Sequence, residues 1–293
     1  MKKLFLLISL AIVTGSILAT CPALPAMATG DASSGSFGPQ AVQPYERLAN
    51  QKVHPTGASG PSCANPKPDE EQKCKELEQQ ILASTVRIEW NLWVQDDDGN
   101  GYSRKDRISQ ATVKQGRYLV THNHSEVLQS DAKKKQFNRV SVFTADGIPI
   151  WPKGPIYTLI ITVEDEETLV LDFGDYGGQG LFALWGISSS EFKAWDSVAL
   201  QPGMEVAQVV WNGSRAHVAW VTIDDVVTEH GTPRLELDNL VTFGASGAGV
   251  FWNGYHIANN WCQATAYYDD KAAIPRQYSV AALNSLQVAA RLK

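Results

Sequence analysis

Short apolar runs separated by turn residues fill most of this chain, and this pattern constrains its fold more than any other feature. In the stretch TVRIEWNLWV, Val86, Ile88 and Trp90 alternate with polar or charged residues, which is typical of a strand with one buried face. Trp-Asn-Gly triplets at 211–213 and 252–254 each lie between two such runs and predict hairpin turns. Many short strands at even spacing favour an antiparallel barrel or sandwich.

Two segments depart from this alternation and have the period of a helix. Near the start, Asp69 can cap a helix in which Cys74, Leu77 and Ile81 recur on one face. The last segment, SVAALNSLQVAARL, repeats that period and predicts a closing helix. The sequence therefore predicts an all-β fold with a short N-terminal helix and a C-terminal helix.

Residues 1–28 have the composition of an export signal. Lys2 and Lys3 precede an apolar run at 4–19, and the triplet AMA at 26–28 is a small-residue cleavage site. We therefore expect an exported protein that resides outside the cell or in the cell envelope. Because no second long apolar stretch follows, we expect no membrane span in the mature chain.

Two alternatives to a removable signal stay open. In the first, the apolar run stays in place as an anchoring helix, although it is short and is followed by Pro22 and Pro25. In the second, Cys21 is lipidated and anchors the chain, although threonine is a poor fit before that cysteine. Beyond the signal, residues 29–67 are rich in Gly, Ser, Ala and Pro, which predicts a flexible linker or a pro-segment.

Charge and cysteine content narrow the range of partners. The formal net charge is −6, so the sequence predicts no basic face for nucleic acid. Cys63 and Cys74 are close together in an exported chain, which favours a small disulfide loop. Cys262 is then left over unless it pairs elsewhere, and a buried thiol is the simpler expectation for it.

The segment YLVTHNHSEV contains two histidines, His122 and His124, directly after an apolar run. It is similar to the T-H-x-H-x-D-H motif with which metallo-hydrolases bind zinc. However, Glu126 and Val127 stand where that motif needs Asp and His, and no other histidine has a spacing that suggests a partner. We therefore expect no metal and no other cofactor.

A second segment, FGASGAGVF, places Ser246 between glycines and directly before an apolar run. A nucleophilic serine needs a tight turn whose backbone amides point at the carbonyl oxygen under attack, and small neighbours that let the substrate approach. The amides of Gly244 and Ser246 can form such an oxyanion hole. A glycine-rich hairpin without chemistry has the same composition.

Together the two segments resemble the trypsin-like (chymotrypsin-fold) serine proteases, especially their bacterial secreted branch. LVTHNH matches the family's approach to its catalytic base, and GASGAGVF matches its nucleophile box. The resemblance implies that residues 68–293 form two six-stranded antiparallel β-barrels. It implies that His124 is the base and Ser246 the nucleophile of a monomeric endopeptidase that acts on protein or peptide substrates. His122 then becomes a bystander near the rim of the site.

The family also needs an acid just before a buried strand. Here the segment is VEDEETLVLDFGD, and three carboxylates are candidates: Asp165, Glu167 and Asp172. We choose Asp165, since Glu167 is the rarer residue type in this role and Asp172 falls inside or just past the strand. One departure from the family is that Ala245 precedes the serine, where zymogen-activated members use Asp to bind a newly exposed N-terminus.

The resemblance gives less information on the substrate. Leu240, six residues before the serine, corresponds to the base of the primary specificity pocket and argues against a preference for Arg or Lys. Ala258 and Asn259 resemble the strand that pairs with the substrate backbone.

Two other functions remain open on the sequence alone. One is a catalytically inactive member of the same fold that binds a partner through the former cleft. The other is a secreted β-sandwich that binds carbohydrate, which the nine tryptophans suggest. Packing within the strands explains those tryptophans more simply.

Overall fold

A computed structural model describes residues 62–95, 101–122, 137–145, 147–155, 160–164, 168–229, 232–266 and 276–292. The predicted export signal, Cys21 and most of the predicted linker lie outside these residues. In the ranges just given, no helix is both long and apolar enough to cross a bilayer.

The described chain consists mainly of antiparallel β-strands in two sheets, with three short helices. The helices are α1 (Glu71–Ala83), α2 (Leu181–Leu184) and α3 (Leu286–Arg291). The first sheet contains β1 (Thr85–Gln95), β2 (Gly101–Lys114), β3 (Tyr118–His122), β4 (Phe137–Phe143), β5 (Pro149–Pro155), β6 (Ile160–Glu164) and β7 (Thr168–Asp172). The second contains β8 (Glu191–Phe192), β9 (Glu205–Trp211), β10 (Ala216–Glu229), β11 (Thr232–Leu237), β12 (Gly249–Trp252), β13 (Tyr255–Ala266) and β14 (Arg276–Leu283).

The first sheet has the strand order β5-β4-β1-β2-β3-β7-β6. The alternation that predicts β1 holds in the structure, because Val86, Ile88 and Trp90 are buried while Arg87 and Glu89 are half-buried. The inward faces of the strands form one apolar core, to which α2 adds a phenylalanine. Its buried members include Val86, Ile88, Val113, Leu119, Val140, Val142, Leu169, Leu171, Phe173 and Phe182.

The second sheet has the order β12-β9-β10-β11-β14-β13-β8, and β12 also pairs with β13. This extra pairing closes six of the strands into an antiparallel barrel, while β8 adds to β13 in parallel. The barrel interior is apolar and contains Val206, Val221, Ile223, Leu235, Leu237, Val250, Ile257, Ala281 and Leu283. The prediction of an all-β fold is therefore confirmed, and one of its two sheets is a closed barrel.

The two Trp-Asn-Gly turns are where the sequence predicts them. Asn253 and Gly254 join β12 to β13, and both have positive φ, at 48° and 80°. Positive φ at both central residues is the geometry of the two-residue hairpin that Asn-Gly favours. The other triplet begins at the end of β9, where the Asn212 amide donates to the Arg215 carbonyl at 3.2 Å.

The prediction of a closing helix is wrong over its first half. Residues Arg276–Leu283 form β14, which pairs with β11 on one side and β13 on the other. The helical period of this segment is overridden because both neighbouring strands have open edges that β14 fills. The helix begins only at Leu286, where the Ser285 hydroxyl accepts a hydrogen bond from the Val288 amide at 3.2 Å.

Helix α1 packs on the closed barrel. It begins one residue after Glu70, which occupies the N-cap position predicted for Asp69. Its buried Ile81 joins a small apolar cluster with residues of the barrel, and the Trp220 indole donates to the Glu78 carboxylate at 2.7 Å. The chain then enters β1, so α1 connects the closed barrel to the first sheet.

The residues just before α1 are bound to the barrel as well. The Glu205 carboxylate accepts hydrogen bonds from the Cys63 amide at 2.6 Å and the Ala64 amide at 3.1 Å. Residues 62–64, which the sequence assigns to a linker, therefore contact the body of the protein. The predicted Cys63–Cys74 disulfide is confirmed, with its α-carbons 5.5 Å apart, and is consistent with an extracellular location. The side chain of Cys262 lies outside the described residues.

Candidate active site

Ser246 lies in a segment of two consecutive tight turns, which we name the serine turn (Thr242–Ala248). The first turn is closed by a hydrogen bond from the Ala245 amide to the Thr242 carbonyl, and the second by one from the Ala248 amide to the Ala245 carbonyl. Gly244 and Gly247, the third residues of these turns, have φ of 95° and 79°. Positive φ at this position is required in type II turns and is comfortable only for glycine.

The serine turn packs directly against the end of β3. A β-carbon placed on Gly247 would lie 2.5 Å from the Gln110 carbonyl oxygen and 2.7 Å from His122 Cδ2, and it would overlap the Thr121 hydroxyl. Only a glycine allows this approach. The structure thus brings the serine segment to the last two residues of the strand that leads to His124.

Most peptide groups of the serine turn are held by hydrogen bonds. The Ser246 carbonyl accepts from the Gln110 amide at 2.9 Å, and the Gly247 amide donates to the Asn260 carbonyl at 2.8 Å. The Ala245 carbonyl accepts from the Asn260 side-chain amide at 3.4 Å. Within the described chain, the amides of Gly244 and Ser246 donate to no protein acceptor.

Peptide geometry sets the direction of the Ser246 amide. The Ala245 carbonyl points towards Asn260, which is fully buried in the second barrel. In a trans peptide the N–H group points opposite to the carbonyl, and the described residues contain no cis bond. The Ser246 amide therefore points away from the barrel interior. Ser246 as a whole is half-buried.

His124, the predicted base, lies outside the described residues. The strand before it is well defined: Thr121 and His122 are 0% and 3% exposed, and the Thr121 hydroxyl donates to the Gln110 carbonyl at 2.7 Å. His122 contacts Trp261 edge-on, with ring centroids 6.3 Å apart. It is a buried residue, so the prediction that His122 lies near a rim is wrong.

Asp165 and Glu167 also lie outside the described residues, but the strand that follows them is paired with β3. Leu169 pairs with Thr121, and Thr168 pairs with His122. Because the strands are antiparallel, the start of β7 lies beside the end of β3. The run of acids therefore leads into β7 at the edge where the chain leaves β3 towards His124.

Asp172 has a different environment from the other two candidates. It is 4% exposed and binds the Arg117 guanidinium through both carboxylate oxygens, at 2.5 and 2.6 Å. It also pairs with Tyr118, at the opposite end of β3 from His122, which is about 13 Å away at the rise of a strand. Asp172 is therefore committed to an ion pair far from the serine turn.

The three residues predicted to bind substrate are in different environments. Leu240 is 42% exposed and belongs to the loop that leads to the serine turn. Ala258 and Asn259 are fully buried. At these two positions β13 is paired with β12 on one side and β14 on the other, so the strand has no open edge there.

Among the described residues, β13 has an open edge further along the strand, beyond the positions that the sequence predicts to pair with substrate. After a bulge at Asn260/Cys262, Gln263 to Ala266 pair with β14 alone among the described residues. The cause is a difference in length, because β13 is 12 residues long and β12 only 4.

His256 is the one buried histidine of β13, and its surroundings are apolar. It is 1% exposed, contacts the rings of Phe192 and Phe251, and its Nε2 lies 3.1 Å from the Asn259 side-chain oxygen. Burial lowers the pKa of His256 to about 4, so its ring is neutral at pH 7. This histidine has a structural role in the second barrel.

Across the described ranges, His, Cys, Asp and Glu side chains form no group of three or more that could hold a metal ion. In comparisons with known proteins, neither a protein-family model nor a curated protein sequence matches this chain.

Proposed function

We propose that this protein is an exported serine endopeptidase of the trypsin-like type. The observation that carries the proposal is the contact between the serine turn and the end of β3. Gly247 and the Thr121–His122 end of β3 are so close that no β-carbon fits between them. The serine turn leads into a strand of the second sheet and His122 ends a strand of the first, and a surface hairpin without a catalytic role has no need of this approach.

In the proposed mechanism, His124 accepts the hydroxyl proton of Ser246 while the serine oxygen attacks a peptide carbonyl. The amides of Gly244 and Ser246 donate to the oxygen on which negative charge develops. His124 then gives the proton to the departing amine, and water hydrolyses the acyl-enzyme in a second, equivalent half-reaction. This chemistry needs no metal or organic cofactor.

The state of the two amides supports this oxyanion hole. The carbonyl groups of Gly244, Ala245 and Ser246 accept hydrogen bonds from the protein, whereas the amides of Gly244 and Ser246 have no acceptor among the described residues. The Ala245 carbonyl shares a peptide group with the Ser246 amide, so its hydrogen bonds hold this donor in place before substrate binds. Such preorganised donors are the strongest contributors to acyl transfer.

We propose Asp165 as the acid that orients His124, with Glu167 as the alternative. The pairing of Thr168 with His122 supports either residue, since both lie just before β7. We do not propose Asp172 as the acid, because Arg117 binds both of its carboxylate oxygens. An acid in this position fixes the tautomer of the histidine and stabilises its charged form.

The fold supports the same proposal at the level of architecture. The second sheet is a closed six-stranded barrel, and the first is a seven-stranded antiparallel sheet with its own apolar core. We propose that the first sheet is the other barrel of a two-barrel protease, with the site between them. In this arrangement the substrate backbone pairs with the open edge of β13 rather than with Ala258 and Asn259.

The carbohydrate-binding alternative has little support from four tryptophans in or at the ends of strands, whereas Trp185 and Trp195, outside the strands, are 47% and 41% exposed. Trp90 and Trp211 are 3% and 6% exposed, and Trp220 and Trp252 are half-buried. A sugar platform needs exposed ring faces, so packing accounts for these residues. An inactive protease fold remains the competing function, and it differs from ours in a measurable way.

Hydrolysis of an unstructured protein substrate separates the two functions. The purified mature chain should degrade casein, and Ser246→Ala and His124→Gln should each remove this activity. His217→Gln is the matched control, since His217 is an exposed histidine in the second sheet and should leave activity unchanged. Folded wild-type protein without hydrolytic activity would favour the inactive fold.

A further inference from the structure

Gln110 is a residue of the first sheet that contacts the serine turn of the second. It lies on β2 and is 1% exposed. Its backbone amide donates to the Ser246 carbonyl at 2.9 Å, and its backbone carbonyl accepts from the Thr121 hydroxyl at 2.7 Å. Gln110 therefore binds the serine turn and the end of β3 at the same time.

The side chain of Gln110 adds a further contact. Its amide nitrogen donates to the Gly244 carbonyl at 3.4 Å. The side-chain amide has only one suitable orientation, because a rotated amide would place its oxygen against that carbonyl, and two acceptors cannot bond. The side-chain oxygen is then buried and has no hydrogen-bond partner in the part of the chain that the structure describes.

A buried oxygen without a partner is unfavourable for folding. An apolar side chain of the same size would fill this position without that penalty. Packing alone therefore does not account for a glutamine here. The one favourable interaction that only the amide provides is the hydrogen bond to Gly244.

We propose that Gln110 is a positioning residue that holds the oxyanion hole in its active geometry. This inference rests on the proposed function. Gly244 has a φ of 95° and lacks a side chain, so the peptides on either side of it can rotate more easily than those beside a residue with a β-carbon. The hydrogen bond from Gln110 fixes the peptide group between Gly244 and Ala245, which lies between the two proposed donors, and so limits how the Gly244 and Ser246 amides can move relative to each other.

The opposite side of Gly244 is supported by the second barrel. A β-carbon on Gly244 would lie 3.0 Å from Trp211 Cδ1, and Trp211 is 6% exposed. The glycine thus lies between a tryptophan of one sheet and the amide of Gln110 from the other. Losing the amide leaves the tryptophan contact and the turn hydrogen bond from the Ala245 amide to the Thr242 carbonyl, and neither of these binds the Gly244 carbonyl itself.

The test compares Gln110→Met with wild type, because methionine matches glutamine in length and volume but donates no hydrogen bond. Two quantities are measured: the rate of labelling by a fluorophosphonate probe, and kcat and KM for a peptide substrate. We expect labelling and kcat to fall about 10-fold with KM nearly unchanged, since a weakened oxyanion hole affects the transition state more than substrate binding. The melting temperature should stay equal or rise.

Gln115→Met is the matched control. The Gln115 side chain also donates to a backbone carbonyl, that of Leu292 at 2.8 Å, but at the other end of β3. The fluorophosphonate probe should label the Gln115→Met variant at the wild-type rate. If Gln110→Met does not fold, Gln110→Leu, which is apolar and has no hydrogen-bond donor, replaces it in the same comparison.

The outcomes distinguish this inference from the function on which it rests. Slow labelling of Gln110→Met with wild-type stability supports it. Labelling and kcat at wild-type levels in a folded Gln110 variant overturn it while the protease function stands. A wild-type protein that is folded but never labels overturns both.

Discussion

Gly247, in the turn before a strand of the second sheet, contacts Thr121 of the first sheet so closely that no space is left for a β-carbon on the glycine. The approach joins the serine turn to the strand that precedes His124. Because Gly247 also has a φ of 79°, glycine is the one residue type that fits both the space and the backbone geometry at this position. This contact is the point at which the proposed nucleophile and base segments meet.

Gly247→Ala should therefore damage both stability and activity. The new methyl group must displace the Gln110 carbonyl or the Thr121 hydroxyl. In addition, the alanine must adopt the left-handed backbone conformation that glycine has at this position. We expect a loss of about 3 kcal/mol in the free energy of unfolding, measured by urea denaturation, together with loss of labelling at Ser246.

Gly203→Ala is the control for the backbone effect alone. Gly203 has a φ of 86°, and a β-carbon there meets nothing within 4 Å. This variant should lose only about 1 kcal/mol and keep full activity. Equal losses for both variants would contradict the close contact at Gly247.

The disulfide between Cys63 and Cys74 should stabilise the attachment of the N-terminal segment. A cross-link over 11 residues restricts the unfolded chain, so replacing both cysteines with serine should lower the free energy of unfolding by about 3 kcal/mol. Urea denaturation of the double variant without reductant measures this loss.

Ser62→Ala serves as a comparison for that variant, because it removes one hydrogen bond to Glu205 at an exposed position and should cost well under 1 kcal/mol. An unchanged midpoint for the double cysteine variant would mean that the segment before β1 is not held by the disulfide.

The lowered pKa of His256 should make the stability of the protein depend on pH. Its pKa is lowered to about 4 in the folded state, mainly by burial, and lies near 6.5 in the unfolded chain. Between these values the unfolded chain binds more protons, so stability should fall as the pH is lowered from about 6.5 to about 4. The loss from this one residue is about 3 kcal/mol over that range.

The measurement is urea denaturation at pH 7 and pH 5. His256→Gln keeps a polar group near Asn259 but does not titrate, so its stability should change less between the two pH values than that of wild type. His217→Gln, at an exposed position, should behave as wild type does. A wild-type protein whose stability is the same at both pH values would exclude a shifted His256.

Local patterns in the sequence predict most of the strands. The alternation in β1 and the Asn253-Gly254 hairpin are properties of neighbouring residues, so the sequence carries them directly. The C-terminal segment shows the limit of such patterns. Its apolar residues fit a helical period, yet β14 forms there because two distant strands offer open edges.

The candidate site shows the same division between local and long-range information. Gly244 and Ser246 stand out by their local glycine pattern, whereas Gln110 and Asn260 have no local pattern and become visible only when two sheets meet. The assignment of Ala258 and Asn259 to substrate binding depends on counting residues. Counting does not reveal that both edges of β13 are filled at those positions.

The most direct test of the central claim is covalent labelling of the purified wild-type protein with a fluorophosphonate, followed by mass spectrometry of its peptides. A nucleophilic serine reacts with this probe, and other serines do not. We expect one labelled peptide, with the modification on Ser246, and no labelling of Ser246→Ala. A folded wild-type protein that remains unlabelled, or that is labelled at another serine, would contradict the proposed function.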